Sequence, residues 1–180
     1  MNTKKINVSL SVSSLENAIK ELKQIKSNIR NINREIIKES LSWIQNRANK
    51  YLEERVGKYP NSANVGMDWH IKLIKDNKGG NFEYQLINKN DLACFVEFGT
   101  GLVGSEEEHK LAEKLNYQYD MNNHGEDGWE FAFEYGDKFY YYVAFKGYKG
   151  KSFLYDAFFD FYYLEQWKKI CQKVYDKYIY

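Results

Sequence analysis

Several things are scarce in this chain of 180 residues, and each scarcity removes a class of function. There are two cysteines, Cys94 and Cys171, far apart in sequence, so neither a disulfide framework nor a short-spaced zinc or redox motif is expected. Both read as ordinary reduced thiols. Proline occurs once, at Pro60, in a loop with the polar run Asn61 to Asn64. Charge of one sign is missing: 26 Lys and Arg face 25 Asp and Glu, which leaves no overall electrostatic footprint for nucleic acid or an anionic membrane. No apolar run approaches the roughly 18 residues of a membrane helix, and residues 1–14 are polar, without a signal-peptide core. A soluble protein made in a cytoplasm is the expectation.

Catalytic signatures are equally scarce. The chain has no Gly-x-Ser-x-Gly elbow, and Gly99, Thr100 and Gly101 lack the Lys-Ser/Thr of a phosphate loop. His70, His109 and His124, with Glu97, Glu126 and Asp127, are the available metal ligands or acid–base groups. No two of the histidines lie three to five residues apart, and His124, Glu126 and Asp127 sit in turn-like composition. A metal-dependent hydrolase around His109, His124 and Glu126 is therefore a minor alternative, and no cofactor or metal is expected.

What the chain has in excess is aromatic residues: 16 Tyr, 11 Phe and 4 Trp, enough for a thick core or for partner surfaces. Their order along the chain suggests elements. Residues 6–12 alternate apolar and polar as a strand would. Ser13 and Glu16 have capping-box spacing, and apolar residues recur at helical intervals from Leu15 to Leu52, ending near Gly57. This predicts one long helix, or two joined near Asn31 to Asn33, with a Lys-rich solvated face.

Two hairpins are expected next, one turning at residues 77–80 and one at Gly136-Asp137. Between them residues 102–127 read as an irregular insertion with a short helix capped by Ser105 and Glu108. Apolar spacing from Phe153 to Tyr178 predicts a C-terminal helix. The fold expected is α+β, in one domain spanning 1–180, its N-terminal and C-terminal helices packed on a mostly antiparallel sheet of the first strand and two hairpins.

The stretch with the most to explain is "ACFVEFGTG", residues 93–101. Phe95 and Phe98 read as core anchors, Glu97 as a carboxylate turned toward backbone N–H groups or a basic partner, and Gly99, Thr100 and Gly101 as a sharp change of direction. A second stretch, "YYYVAFKGYKGK" at 140–151, interleaves aromatic and basic residues and keeps open a small nucleic-acid-binding module.

Taken in order, "ACFVEFGTG", "YDMNNHGEDGWEF" (119–131) and "FKGYKGKSFLYDAF" (145–158) resemble blocks of the tail-completion or head–tail connector proteins of long-tailed bacteriophages. The likeness covers most of the chain from residue 91 onward; before that only the element order is similar. It departs at Ser152, where the family usually carries proline before the phenylalanine of its last block. The resemblance implies a virion protein, made in the bacterial host and acting without catalysis. It would form a ring at the neck through contacts with itself and with neck, adaptor and tail-tube proteins, with no membrane and no sequence-specific nucleic acid. It also implies that Phe95, Glu97, Phe98, Gly99, Thr100 and Gly101 form a structural corner near subunit contacts. Trp129, Gly147, Phe153, Leu154 and Ala157 would then shape the last hairpin and open the final helix.

Overall fold

A computed structural model describes residues 11–56, 68–76, 82–119, 128–135 and 137–179. The expected strand at 6–12 lies almost wholly outside them, as do the turn at 77–80, Gly136 and the segment holding His124, Glu126 and Asp127. The architecture is α+β, as expected. Helix α1 (Val12–Val56) runs unbroken through Asn31 to Asn33 and ends one residue before Gly57. Its start differs from the expectation: Ser11, not Ser13, sits at the N-cap, its Oγ accepting the Ser14 N–H at 3.2 Å.

Strands β1 (Trp69–Asp76) and β2 (Phe82–Asn88) pair as the first hairpin. Helix α2 (Leu92–Phe98) opens after Asn90, whose side-chain oxygen accepts the Leu92 N–H at 2.9 Å. Then follow the two-residue strand β3 (Gly99–Thr100), helices α3 (Gly101–Glu106) and α4 (Ala112–Leu115), and the second hairpin of β4 (Trp129–Tyr135) and β5 (Lys138–Phe145). A bulge interrupts that hairpin where Trp129 pairs with Phe145 but Phe131 with Tyr142, and Ala144 takes φ 54° there. Strand β6 (Gly147–Lys149) pairs antiparallel with β3. Helices α5 (Phe153–Tyr163) and α6 (Gln166–Ile179) replace the single C-terminal helix expected, Glu165 at φ 53° making the break.

Among the described residues the strands form three separate two-stranded antiparallel sheets. The chain divides into two compact units, and the divisions fall inside α1, both strands of the first hairpin and α5. One unit comprises Met1–Trp43, Ile71–Leu86 and Asp160–Tyr180. Its described core is Ile32, Ile170 and Val174, with Ile36, Trp43, Phe161 and Tyr178 packed on it. Pairing of Glu35 with Lys177 at 2.6 Å and Glu39 with Lys173 at 2.9 Å fixes α1 and α6 as antiparallel neighbours. Asp76 on β1 meets both Arg30 and Arg34 of α1. The second unit, Ile44–His70 and Ile87–Phe159, holds the three sequence blocks singled out above.

In the first unit, burial outweighs the ion pairs. Val174 is fully buried, whereas Lys173 is largely exposed and its pair is screened by solvent. Val174→Ala is expected to cost about 2 kcal/mol in urea unfolding, and Lys173→Ala less than about 0.5 kcal/mol. Equal costs would show that the helix pair is held by charge.

Candidate functional site

The "EFGTG" block and the "GYKGKSF" block cross each other at backbone contact. The two chains run antiparallel, Gly99 opposite Lys149 and Thr100 opposite Tyr148, with a further bridge between Gly101 and Gly147. The ladder continues on both sides. Val103 N–H donates to Lys146 O at 3.0 Å, Lys151 N–H to Val96 O at 2.8 Å, and Ser152 N–H to Glu97 O at 3.1 Å.

Glycine makes this approach possible. A Cβ on Gly99 would stand 2.5 Å from the Gly150 nitrogen, and one on Gly150 would stand 2.5 Å from the Phe98 carbonyl carbon. Gly147, at φ 108°, has no room for a Cβ beside the Thr100 carbonyl. Gly101 takes φ 64° where the first chain turns into α3, its N–H donating to Tyr119 O.

Glu97, at the last turn of α2, is buried. Its two oxygens accept the Leu154 and Tyr155 N–H groups at 2.8 and 2.9 Å, which are the second and third positions of α5. The carboxylate thus caps, from 57 residues away, a helix that begins at Phe153. Serine at 152 has the right residue type for that task, but its φ of 45° takes it out of the extended conformation an N-cap side chain needs.

Around the cap lies a ring of aromatic contacts. His109 stands between Phe98, with ring centroids at 4.4 Å, and the edge of Tyr155 at 5.3 Å; Phe98 stacks on Tyr117 at 4.5 Å. Phe98, Ala112 and Tyr119 form the local core, with Leu111 and Tyr117 against it. The Tyr117 hydroxyl donates to Gly99 O at 2.7 Å, and the Tyr119 hydroxyl accepts the His109 N–H at 2.8 Å.

His109 Nδ1 accepts the Leu111 N–H at 3.1 Å, which assigns the imidazole proton to Nε2. Nε2 lies 3.2 Å from Glu97 Oε1 but off the line of a hydrogen bond, so the contact is electrostatic. Arg55, at the end of α1, closes the other side, donating to Lys151 O and to Asp156, each at 2.6 Å, and covering the Tyr51 ring at 3.9 Å. The Trp69 ring meets Phe153 edge-on at 6.2 Å and donates to Asn49 Oδ1 at 2.8 Å.

Burial raises the Glu97 carboxyl above the ordinary 4.5, with the two α5 N–H groups and His109 pulling the other way. At Cys94, desolvation and then the neighbouring Glu97 charge raise the thiol, which suppresses its reactive thiolate. Both acceptor oxygens of Glu97 are already engaged by backbone. The chemistry this arrangement performs best is holding a helix end against a backbone crossing.

Several of the expected site residues therefore converge. Glu97, Phe98, Gly99, Thr100 and Gly101 meet Gly147, Phe153 and Leu154, and Ala157, fully buried, lies one turn into α5. Glu97 turns to backbone N–H groups within its own chain. Phe95 is a correction: it is 43% exposed, because on α2 it faces away from the core that takes Phe98. Trp129 opens β4, paired with Phe145.

The segment 102–127, read as irregular with one short helix opening at Ser105, is a compact part of the local core as far as it is described, to Tyr119, and carries two helices, Gly101–Glu106 and Ala112–Leu115. The Ser105 hydroxyl instead donates back to Leu102 O at 2.8 Å. Arg55, Tyr117, Tyr119, Gly104 and Gly150 were missed. The recurring glycines at 147 and 150, opposite those at 99 and 101, were their one signal.

The alternative chemistries find less. His70 pairs with exposed Asp68 at 3.0 Å, and among the described residues no cluster of three His, Cys, Asp or Glu could hold a metal. In the 140–151 stretch, Lys149 pairs with Glu107, and the Tyr141 hydroxyl donates to Glu130 at 2.5 Å, which sets acids beside the basic and aromatic residues. No protein-family model, curated protein or solved structure matches the chain.

Two outcomes test the site. Glu97→Ala is expected to cost about 2–3 kcal/mol by orphaning two helix N–H groups, and Glu97→Gln less, since an amide oxygen still accepts. A raised folded-state value means that the folded chain holds the Glu97 proton to higher pH than the unfolded one. The stability advantage of wild type over Glu97→Gln is therefore full below pH 4.5 and declines as pH rises through the folded-state value. Urea unfolding of both proteins across that range checks it, and parallel curves would refute the raised carboxyl. Separately, Gly147→Ala is expected to cost more than about 2 kcal/mol by circular dichroism melting, from the positive φ and the crowded Thr100 carbonyl together.

Proposed function

We propose that this chain is a structural virion protein of a long-tailed bacteriophage or prophage, acting without catalysis in a ring at the head–tail junction. One observation carries the reading. Two of the three sequence blocks that resemble connector proteins interlock in this fold, so their unusual residues are accounted for by one intrachain corner, which supports the resemblance. The glycines permit the backbone crossing and Glu97 ties it to the start of α5.

A protein of this kind needs surface for partners, and much large apolar surface is exposed. Phe158, Tyr162, Leu164 and Trp167 stand out around the junction of α5 and α6, and Phe139 and Tyr141 on β5. Such surfaces suit contacts with a second copy and with neck, adaptor and tail-tube proteins in the virion. No described helix is long and apolar enough to cross a membrane. At position 152 the chain departs from the connector pattern in backbone as well as residue, since proline cannot adopt the φ of 45° found there.

Deleting the gene from the phage or prophage that carries it and imaging the lysate tests the proposal. Separate DNA-filled heads and finished tails are expected. Complete, joined virions would overturn it.

A further inference from the structure

We propose that the first part of α1, Val12 to Ile29, pairs in parallel with the same segment of a second copy as a short coiled coil. The sequence there is heptad-patterned. Leu15, Ala18, Leu22, Ile25 and Ile29 follow alternate steps of three and four, and Ile32 and Ile36 continue them. The seam is one continuous stripe along α1. Its later part is already used within the chain, where Ile32 and Ile36 join Ile170, Val174 and Tyr178 of α6.

The cover that α6 gives runs out at a definite place. The helices are antiparallel, Glu39 meeting Lys173 and Glu35 meeting Lys177, and α6 ends at Ile179. Toward the N-terminus α1 continues from Ile29 to Val12, about 27 Å of helix. Along it Leu15, Ile19, Leu22 and Ile29 are 48–57% exposed. Ala18 in the same stripe is buried and Ile25 half-buried, so it is the first-position residues Leu15, Leu22 and Ile29 that the described fold leaves open.

The flanking residues choose the occupant. With Leu15, Leu22 and Ile29 in the first heptad position and Ala18 and Ile25 in the fourth, Glu21 takes the seventh position and Lys26 the fifth of the next heptad. In a parallel pair these two positions face each other across the seam, so Glu21 of each copy meets Lys26 of the other, twice by symmetry. Asn28 and Asn33 are the next facing pair and can exchange amide hydrogen bonds. An antiparallel pair would set Glu21 against Asn28 and Lys26 against Ile19, losing both charge pairs. An anionic lipid surface would meet Glu21 beside the stripe. A second copy in parallel satisfies all of these residues.

This inference is independent of the head–tail reading, because its test uses the isolated full chain. Size-exclusion chromatography with light scattering over a concentration series is expected to give a monomer–dimer equilibrium with Kd on the order of 10–100 µM. Leu22→Glu, at an exposed position, should leave the circular dichroism spectrum unchanged and weaken dimerisation about tenfold or more. Glu21→Lys alone and Lys26→Glu alone should each remain monomeric, yet form a heterodimer when mixed, since the mixture restores both cross-seam charge pairs. A wild-type chain that stays monomeric throughout overturns the proposal. So does a dimer unaffected by Leu22→Glu, or a mixture that fails to associate. Binding to anionic vesicles by a chain that stays monomeric would give the stripe to lipid and overturn it equally.

Discussion

The second compact unit depends on a carboxylate that stands in for a missing helix cap. Helix α5 begins directly after a residue with positive φ, so its first N–H groups have no local acceptor of the usual kind. Glu97 supplies two oxygens from the end of another helix. Taking a carboxylate out of water is costly, and the rest of the local structure reduces that cost. The helix N-terminus offers partial positive charge, His109 turns its N–H side toward the carboxylate, and the rings of Phe98 and Tyr155 hold the imidazole in place.

The backbone crossing follows from the same requirement. For Glu97 to reach the α5 N–H groups, the chain after it must run directly against the chain before α5. The ladder from Val96 to Val103 against Lys146 to Ser152 does this, and it is why side chains are absent at 99, 147 and 150. Arg55 then binds the carbonyl of Lys151 and the carboxylate of Asp156, so the end of α1 is fixed to the same helix start. Three stretches far apart in sequence are held by groups that each need the others to be buried at acceptable cost.

A corner of this kind has few groups left for a substrate. The carboxylate is engaged by backbone, the neighbouring thiol is raised above its ordinary value by desolvation and by the Glu97 charge, and the imidazole stands between the Phe98 and Tyr155 rings. Exposed aromatic and aliphatic side chains lie elsewhere, on α1, on β5 and around the junction of α5 and α6. This division between a rigid internal tie and outward apolar faces is what an assembly component requires, and it ties the proposed ring role to the composition that first distinguished the sequence.

Local chemistry in the sequence determined the elements whose signals are periodic. The helical spacing from Leu15 to Leu52, both hairpins and the apolar stripe after Phe153 were legible because each residue's preference depends on near neighbours. It also marked Glu97 as a carboxylate that must find backbone N–H groups or a basic partner, since a lone buried charge is too costly to leave unpaired. Only the tertiary structure decided that the partners are the Leu154 and Tyr155 N–H groups, that Phe95 faces solvent, and that residues 101–119 build a core. The reason is physical. The cap of α5, the crossing and the pairs around it are set by contacts between segments about 50 to 100 residues apart, and the positive φ at Ser152 occurs within that packing, with no trace in the preferences of a serine.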